Sequence, residues 1–236
     1  MNAGAHLAEI GFCIGDPSRA AMLWSLMGGE SRPASELAML ANVSPQTASS
    51  HLKTLVTGRL LDVSPSGRTK FYKLSHPSVA AALESLMFVA RPEMNATGIA
   101  GRTAPELVFA RTCYDHLAGE LAVRILKRLL DRGLLEESGK EFSLTGSGKR
   151  FFESLGIKAA TALEKRRRRL AYPCLDWSQR LPHLAGSLGA ELLNCFLRSH
   201  VLAHGKVRRA IRVTDRGREM LEHSFGIRLS RDGRIV

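Results

Sequence analysis

Two short segments in the second half of the sequence combine thiol, imidazole and carboxylate side chains. Cys113 and His116 are three residues apart, and Cys174, Asp176 and His183 stand at similar places further along the chain. A spacing of three predicts that Cys113 and His116 lie on one face of a helix. Two cysteines and two histidines are ligands that suit zinc or another soft metal ion, and the thiols also suit a thiol-based sensor.

These side chains also have a purely structural interpretation. Free cysteine is among the most often buried residues and packs as a small apolar side chain. A histidine that hydrogen-bonds a loop or the backbone needs no ligand. This interpretation is preferred for each residue alone, but both residue types recur in two segments. If the two segments pack about a pseudo-twofold axis, the two cysteines and two histidines converge, and zinc is then the metal candidate. The identity of the effector is left open.

An internal repeat surrounds these residues, with copies at 113–157 and 174–227. Each copy predicts a long helix, a strand, a Thr-x-x-Gly step and a second helix, with Thr145 and Thr214 as N-caps. The first copy resembles the end of a helix and the wing of a MarR-like winged helix. We therefore expect two degenerate winged-helix-like repeats in an effector or dimerisation domain, residues 106–236, after a linker at 93–105.

A second informative stretch, residues 35–74, predicts helix, turn, helix and a two-stranded hairpin. Ser44 precedes Pro45 as an N-cap, and the helix that follows is expected to run to about Thr57. Apolar residues recur at helical spacing on its inward face, whereas the side chains on its outward face are short and polar. No acidic residue occurs from Ser44 to Leu61. Surface helices usually carry acids, so the pattern favours a helix that enters the major groove over a merely solvated face.

The polar residues of this stretch have two expected roles on DNA. Side chains on the helix are expected to approach the bases, and cations on the helix and at the hairpin tip are expected to hold phosphate. The predicted base-reading residues are Gln46, Thr47, Ser49, Ser50 and His51. The predicted phosphate contacts are Lys53, Arg68 and Lys70.

The order of motifs in residues 1–92 resembles the ArsR-type winged helix-turn-helix transcriptional regulators. The matching segments are DPSRAAML, SELA, VSPQTASSHLKTL and GRLLDVSPSGRTKFYKL. The resemblance implies a homodimer on a palindromic double-stranded DNA operator, usually as a ligand-released repressor, with the first and last helices as the dimer interface. Pro33 and Ser35 stand where many members carry metal-binding cysteines, and the last helix offers His76 and Glu84. Both familiar metal sites of the family are therefore expected to be absent.

Composition and charge set wider bounds. The chain has 236 residues and a net charge of +12, yet residues 1–92 hold eight Lys and Arg against six Asp and Glu. Most of the positive charge therefore lies outside the predicted DNA reader, part of it in the run Lys165–Arg169, which is either a phosphate contact or a solvated segment. No apolar run approaches the ~18 residues of a membrane span. With no secretory signal pattern at the N-terminus, a cytoplasmic protein without a membrane partner is expected.

These features together predict a mainly α fold with small β-hairpins (α+β) and a sequence-specific DNA-binding regulator. No P-loop, GxGxxG, HExxH or GxSxG motif occurs, so the chain is not expected to be an enzyme. Two alternatives stay open. One is a non-specific nucleic-acid-binding protein that uses the basic second half. The other is a metal- or thiol-dependent sensor whose C-terminal domain has its own activity.

Overall fold

A computed structural model describes residues 3–89, 104–157, 169–230 and 233–236 of the chain. The chain divides into two compact units, Met1–Leu83 and Glu84–Val236. The predicted mainly α fold with small antiparallel hairpins is confirmed. Most of the predicted linker and Lys165 to Arg168 of the basic run lie outside the described residues. No helix in the described ranges is long and apolar enough to cross a membrane.

The first unit contains four helices, three strands and the beginning of a fifth helix within its described residues. In chain order these are α1 Ala3–Ile14, α2 Pro17–Ser25, β1 Arg32–Pro33, α3 Ala34–Leu40, α4 Pro45–Thr57, β2 Leu61–Ser66, β3 Thr69–Leu74 and α5 Pro77–Val89. The strands form one antiparallel sheet in the order β1-β3-β2. Apolar side chains of α2, α3 and α4 are fully buried between these elements. The unit is therefore a helix-turn-helix followed by a wing.

Local contacts fix the ends of the helices in this unit. The Asp16 side chain accepts a hydrogen bond from the Arg19 amide and caps α2, and the Ser44 side chain accepts one from the Thr47 amide and caps α4. The buried Arg19 guanidinium donates to the carbonyl oxygens of Phe12 and Cys13, which satisfies acceptors at the end of α1. The Ser44 cap sets the start of α4, the helix that carries most of the predicted DNA contacts.

The second unit begins with the last residues of α5 and repeats one order of elements twice. Its elements after α5 are α6 Pro105–Phe109, β4 Arg111–Cys113, β5 His116–Ala118, α7 Glu120–Asp131, β6 Leu135–Ser138, β7 Glu141–Leu144, α8 Gly146–Ser154, β8 Tyr172–Leu175, β9 Pro182–Ala185, α9 Gly186–Arg198, β10 Leu202–His204, β11 Ile211–Val213 and α10 Asp215–Phe225. Each copy is a hairpin, a long helix, a second hairpin and a second helix. Helix α9 packs on β5 and α7 on β9, so the copies pack crosswise around one apolar core.

The recurring Thr-x-x-Gly step has the same physical basis in both copies. The Thr145 and Thr214 hydroxyls accept hydrogen bonds from the amides of Gly148 and Gly217, so both predicted N-caps are confirmed. A Cβ at either glycine would lie 2.0 Å from a backbone carbonyl oxygen of the same copy. The sequence keeps glycine there because the first turn of the helix touches the preceding backbone.

The predicted helix through Cys113 and His116 is wrong. The two residues face each other as a cross-strand pair of β4 and β5. Tyr114 has a φ of 58°, which closes the chain into a tight turn, and the following helix begins only after Gly119, whose φ is 92°. Three-residue spacing is common to a helix and to a two-residue hairpin turn, so the spacing alone did not separate them.

Candidate DNA-binding surface and metal centre

Helix α4 presents the predicted polar face to solvent. Its apolar residues Ala48, Leu52 and Leu55 are fully buried and fix the rotation of the helix. The exposed side chains on the opposite side are Gln46, Thr47, Ser49, Ser50 and Lys53. The Thr47 hydroxyl lies 2.8 Å from the Ser44 hydroxyl, so it also takes part in the helix cap.

A groove lies between α4 and the wing formed by β2 and β3. Of the predicted DNA contacts, it brings together Gln46, Ser49, Ser50 and Lys53 from α4 with Lys70 from β3. Arg68 is exposed in the two-residue turn at the tip of the wing, after Gly67, whose φ is 59°. The groove therefore combines short hydrogen-bonding groups with cations on both sides, which suits a base edge flanked by phosphates.

The structure places His51 apart from the other predicted contacts. Its side chain is 17% exposed, with Nε2 3.8 Å from Asp16 Oδ1 and Nδ1 3.4 Å from Arg19 Nη1. It therefore packs against the start of α2 and does not line the groove.

The second unit brings two cysteines and two histidines together in its interior. Cys113 pairs with His116 across β4 and β5, and Cys174 pairs with His183 across β8 and β9. All four side chains are buried, and their candidate ligand atoms lie within 4.8 Å of one another. Zinc with ordinary Zn–S and Zn–N bond lengths would hold such atoms roughly 3.3–3.8 Å apart, so a contraction of roughly 1.5 Å at most is needed.

The histidine nitrogens fit a metal centre. The Nδ1 atom of His116 lies 3.2 Å from Asp115 Oδ1, and that of His183 lies 3.6 Å from Asp176 Oδ2. Within the described part of the chain, the buried Nε2 atom of each histidine has no hydrogen-bond partner, and neither has Nδ1 of His183. A buried polar atom without a partner is costly, and unpartnered imidazole nitrogens beside two thiols fit a metal site.

The pKa values in this cluster shift in different directions. Although burial lowers it, the nearby Cys113 and Asp115 raise the pKa of the His116 imidazole to about 9. The hydrogen bond with Cys174, followed by burial, holds the pKa of the Cys113 thiol well above its ordinary value. Burial, followed by the nearby His116, holds the pKa of His183 well below its ordinary value. The neutral His183 imidazole is ready to bind a metal, whereas the thiols and the protonated His116 must first lose a proton. Metal binding at this cluster therefore releases protons.

Asp176 lies beside the cluster rather than in it. It is fully buried and joins an ion-pair network with Arg111, Glu84 and Arg209, none of which sequence reasoning assigned to a site. Burial raises the pKa of Asp176, but the opposing charge of Arg111 and the hydrogen bonds from Ser178 and Gly119 outweigh it and hold this pKa at about 2. One signal could have found Arg111, because it stands two residues before Cys113 and therefore on the same face of a strand.

Comparison with known proteins agrees with the first unit and extends over the whole chain. A helix-turn-helix domain family matches residues 14–64. The HTH-type transcriptional regulator YdfF of Bacillus subtilis (strain 168) is 38% identical over 224 residues, which cover 95% of this chain and 99% of YdfF. The chain belongs to the HTH-type transcriptional regulators. The predicted helix-turn-helix transcriptional regulator is thus confirmed, and regulators of this class bind DNA.

Solved structures similar to this regulator cover its first part. NolR from Sinorhizobium fredii is 26% identical, with a TM-score of 0.34, over 36% of this chain and 85% of NolR. The homodimeric winged helix-turn-helix DNA-binding domain of Mb0332 from Mycobacterium bovis is 23% identical, with a TM-score of 0.34, over 36% of this chain and 79% of that domain.

Proposed function

We propose that this regulator is a homodimeric, sequence-specific repressor whose affinity for its palindromic operator is lowered by a divalent metal ion. The observation that carries the proposal is the buried cluster of two thiols and two imidazoles in a chain that also has a polar, cationic groove between α4 and the wing. In this proposal the groove binds the operator, and the cluster binds the effector ion. Transcription is blocked where the operator overlaps a promoter.

The groove supports sequence reading by α4 and the wing. Gln46, Ser49 and Ser50 are short enough to approach base edges, and their amide and hydroxyl groups both donate and accept hydrogen bonds. Lys53 and Lys70 flank them and neutralise phosphates without reading sequence. Arg68 at the exposed wing tip reaches the backbone or the minor groove. His51 is left out of the reading set because Asp16 and Arg19 hold it.

Exposed apolar side chains on α1 support the homodimer. Leu7 is 74% exposed and Phe12 69% exposed, and Ile10 is also exposed. Large apolar residues on one short helix are unfavourable in water unless a partner covers them. Helix α5 likewise exposes Leu86 and Val89. A second copy of the chain is the partner that a palindromic operator requires.

The charge of the cluster selects the class of metal ion. Two thiolates and two neutral imidazoles carry a charge of −2, which a divalent ion cancels. A monovalent or trivalent ion would leave a net charge in a buried site, and a buried net charge is strongly unfavourable. Four nitrogen and sulfur donors also match the tetrahedral preference of zinc. Cys113, His116, Cys174 and His183 would hold zinc, which supplies here a fixed cross-link between the two copies of the repeat.

Fluorescence anisotropy with a duplex from upstream of the regulator's own gene tests the proposal. Zinc at saturation should weaken binding at least about fivefold relative to chelator-treated protein, within the usual range of allosteric coupling. Ser50→Glu should weaken binding by roughly 100-fold or more, because it places an anion and a longer side chain against the bases. The matched control Ser154→Glu makes the same change on the exposed end of α8 and should leave binding within about twofold.

Three results would contradict parts of the proposal. If an unrelated duplex competes as well as the upstream duplex, the regulator does not read sequence. If Ser50→Glu binds like the Ser154→Glu control, α4 is not the reading helix. If zinc binds stoichiometrically but leaves DNA affinity unchanged, the ion is a structural component and not an effector.

A further inference from the structure

We propose that Asp176 positions His183 for metal binding, and that the ion pairs from Asp176 through Arg111 to Glu84 couple the metal centre to α5. The inference rests on the proposed metal-responsive function. Neither Asp176 nor Glu84 binds the ion itself, and α5 is the helix whose contacts change.

The first step is the contact between Asp176 and His183. Asp176 Oδ2 lies 3.6 Å from His183 Nδ1, which is longer than a hydrogen bond but close enough for electrostatic attraction, and both side chains are fully buried. The carboxylate is held by the Gly119 amide, 2.7 Å from Oδ2, and by the Ser178 amide, 2.9 Å from Oδ1. A carboxylate fixed beside Nδ1 favours the tautomer with its proton on that atom, so Nε2 keeps its lone pair for the ion. Asp176 thus sets both the tautomer and the ring orientation.

The second step is the buried guanidinium of Arg111. Its Nη2 atom lies 3.1 Å from Asp176 Oδ2 and 3.2 Å from Glu84 Oε2, so one nitrogen bridges two carboxylates. Arg209 Nη2 completes the group at 3.1 Å from Glu84 Oε1. Two acids and two arginines balance their charges in the interior. Because each buried charge depends on its partner, Arg111 must follow any change in the position of Asp176.

The third step is the place of Glu84 in the chain. It is a fully buried acid of α5, and it is the first residue of the second unit. Its contacts with Arg111, the first residue of β4, and with Arg209 fasten the C-terminal half of α5 to these two segments of the second unit. The same helix begins at Pro77, within the first unit. Binding of the ion to His183 therefore changes the contacts of a helix whose residues belong to both units.

Full-length variants separate positioning from coupling. Asp176→Asn keeps the shape of the side chain but removes its charge, and it should weaken zinc and Co²⁺ binding roughly 10–100-fold in competition with a chelator. It should also shift the visible absorption bands of the bound Co²⁺. Asp115→Asn is the matched comparison beside His116. Asp115 is 28% exposed, so water can replace it and its loss should matter less.

The coupling is tested at Glu84. Glu84→Gln should leave zinc affinity within about threefold of the wild type but reduce the zinc-dependent change in DNA affinity to less than about twofold, well below the usual allosteric range. Glu84→Gln removes the negative charge that both arginines contact and so leaves an excess positive charge in the interior. The double variant Glu84→Gln/Arg209→Gln keeps the buried charges balanced and gives a second measurement. Glu153→Gln, on the exposed surface of α8, is the control for loss of an acid.

Each failure has its own signature. If wild-type protein binds zinc without a change in DNA affinity, the proposed function fails. If the wild type responds and both Glu84 variants respond equally, the coupling through Glu84 is wrong. If Asp176→Asn binds zinc and Co²⁺ as tightly as the wild type with the same spectrum, Asp176 does not position His183.

Discussion

The two hairpins that form the proposed metal centre carry the same pair of candidate ligands on different supports. In both, a cysteine faces a histidine across two antiparallel strands. The first hairpin closes in two residues, and its carboxylate, Asp115, is 28% exposed. The second closes through a longer loop that buries Asp176 completely and places the Trp177 ring 4.7 Å from the Arg111 guanidinium. The repeated hairpins thus provide the candidate ligands. The longer loop between β8 and β9 provides the buried charge of Asp176, through which we propose that they are coupled to α5.

The largest expected effect tests the equivalence of the two hairpins. Cys113→Ser and Cys174→Ser should each abolish stoichiometric zinc binding, with a loss larger than the roughly 10–100-fold expected for a supporting carboxylate. Each removes a thiolate and leaves the ion with an uncancelled positive charge. Isothermal titration calorimetry against a competing chelator measures both variants. Cys195→Ser, in the same unit but outside the cluster, is the control and should keep full affinity. Retention of one zinc per chain in either cluster variant would show that the two thiols are not equivalent ligands.

A smaller effect is expected at the two glycines that make the same close backbone contact in each copy. Gly148→Ala and Gly217→Ala should each lower the free energy of unfolding by about 1–3 kcal/mol or more, since overpacking forces the backbone to shift. The equal approach of 2.0 Å predicts similar losses in both copies. Urea denaturation gives the values. Gly146→Ala, whose Cβ would meet Arg150 Nη1 at 3.9 Å, should be neutral or slightly stabilising. A large difference between the two copies would mean that only one of them is rigid at this step.

The smallest expected effect concerns the paired helix caps. Thr145→Ala and Thr214→Ala should each destabilise the protein by roughly 1 kcal/mol, because the amides of Gly148 and Gly217 lose their hydrogen-bond acceptors. Replacement by serine keeps the oxygen and should restore most of the loss. Thermal unfolding followed by circular dichroism detects the difference. Alanine variants as stable as the serine variants would show that water satisfies these amides instead.

The sequence allowed accurate prediction where local signals agreed. The expected limits of α4 match the structure because an N-cap, a proline and a terminal glycine mark its ends, and a 3.6-residue apolar period fixes its inner face. The strand pair after it was also expected, from the turn chemistry of Pro65, Ser66 and Gly67. His51 shows where such reasoning stops. It follows Ser50 directly on α4, but its contacts with Asp16 and Arg19 come from a different helix.

The metal centre shows the same division between sequence and tertiary structure. By itself, the sequence determined that two Cys and His sets exist, that they belong to repeated copies and that zinc suits them. Their convergence depends on β5 and β9 lying side by side, and the network of Arg111, Glu84 and Arg209 joins residues far apart in the chain. Ligand type is a property of single residues, which a sequence displays. Burial and charge pairing depend on how distant elements pack, so only the tertiary structure decided them.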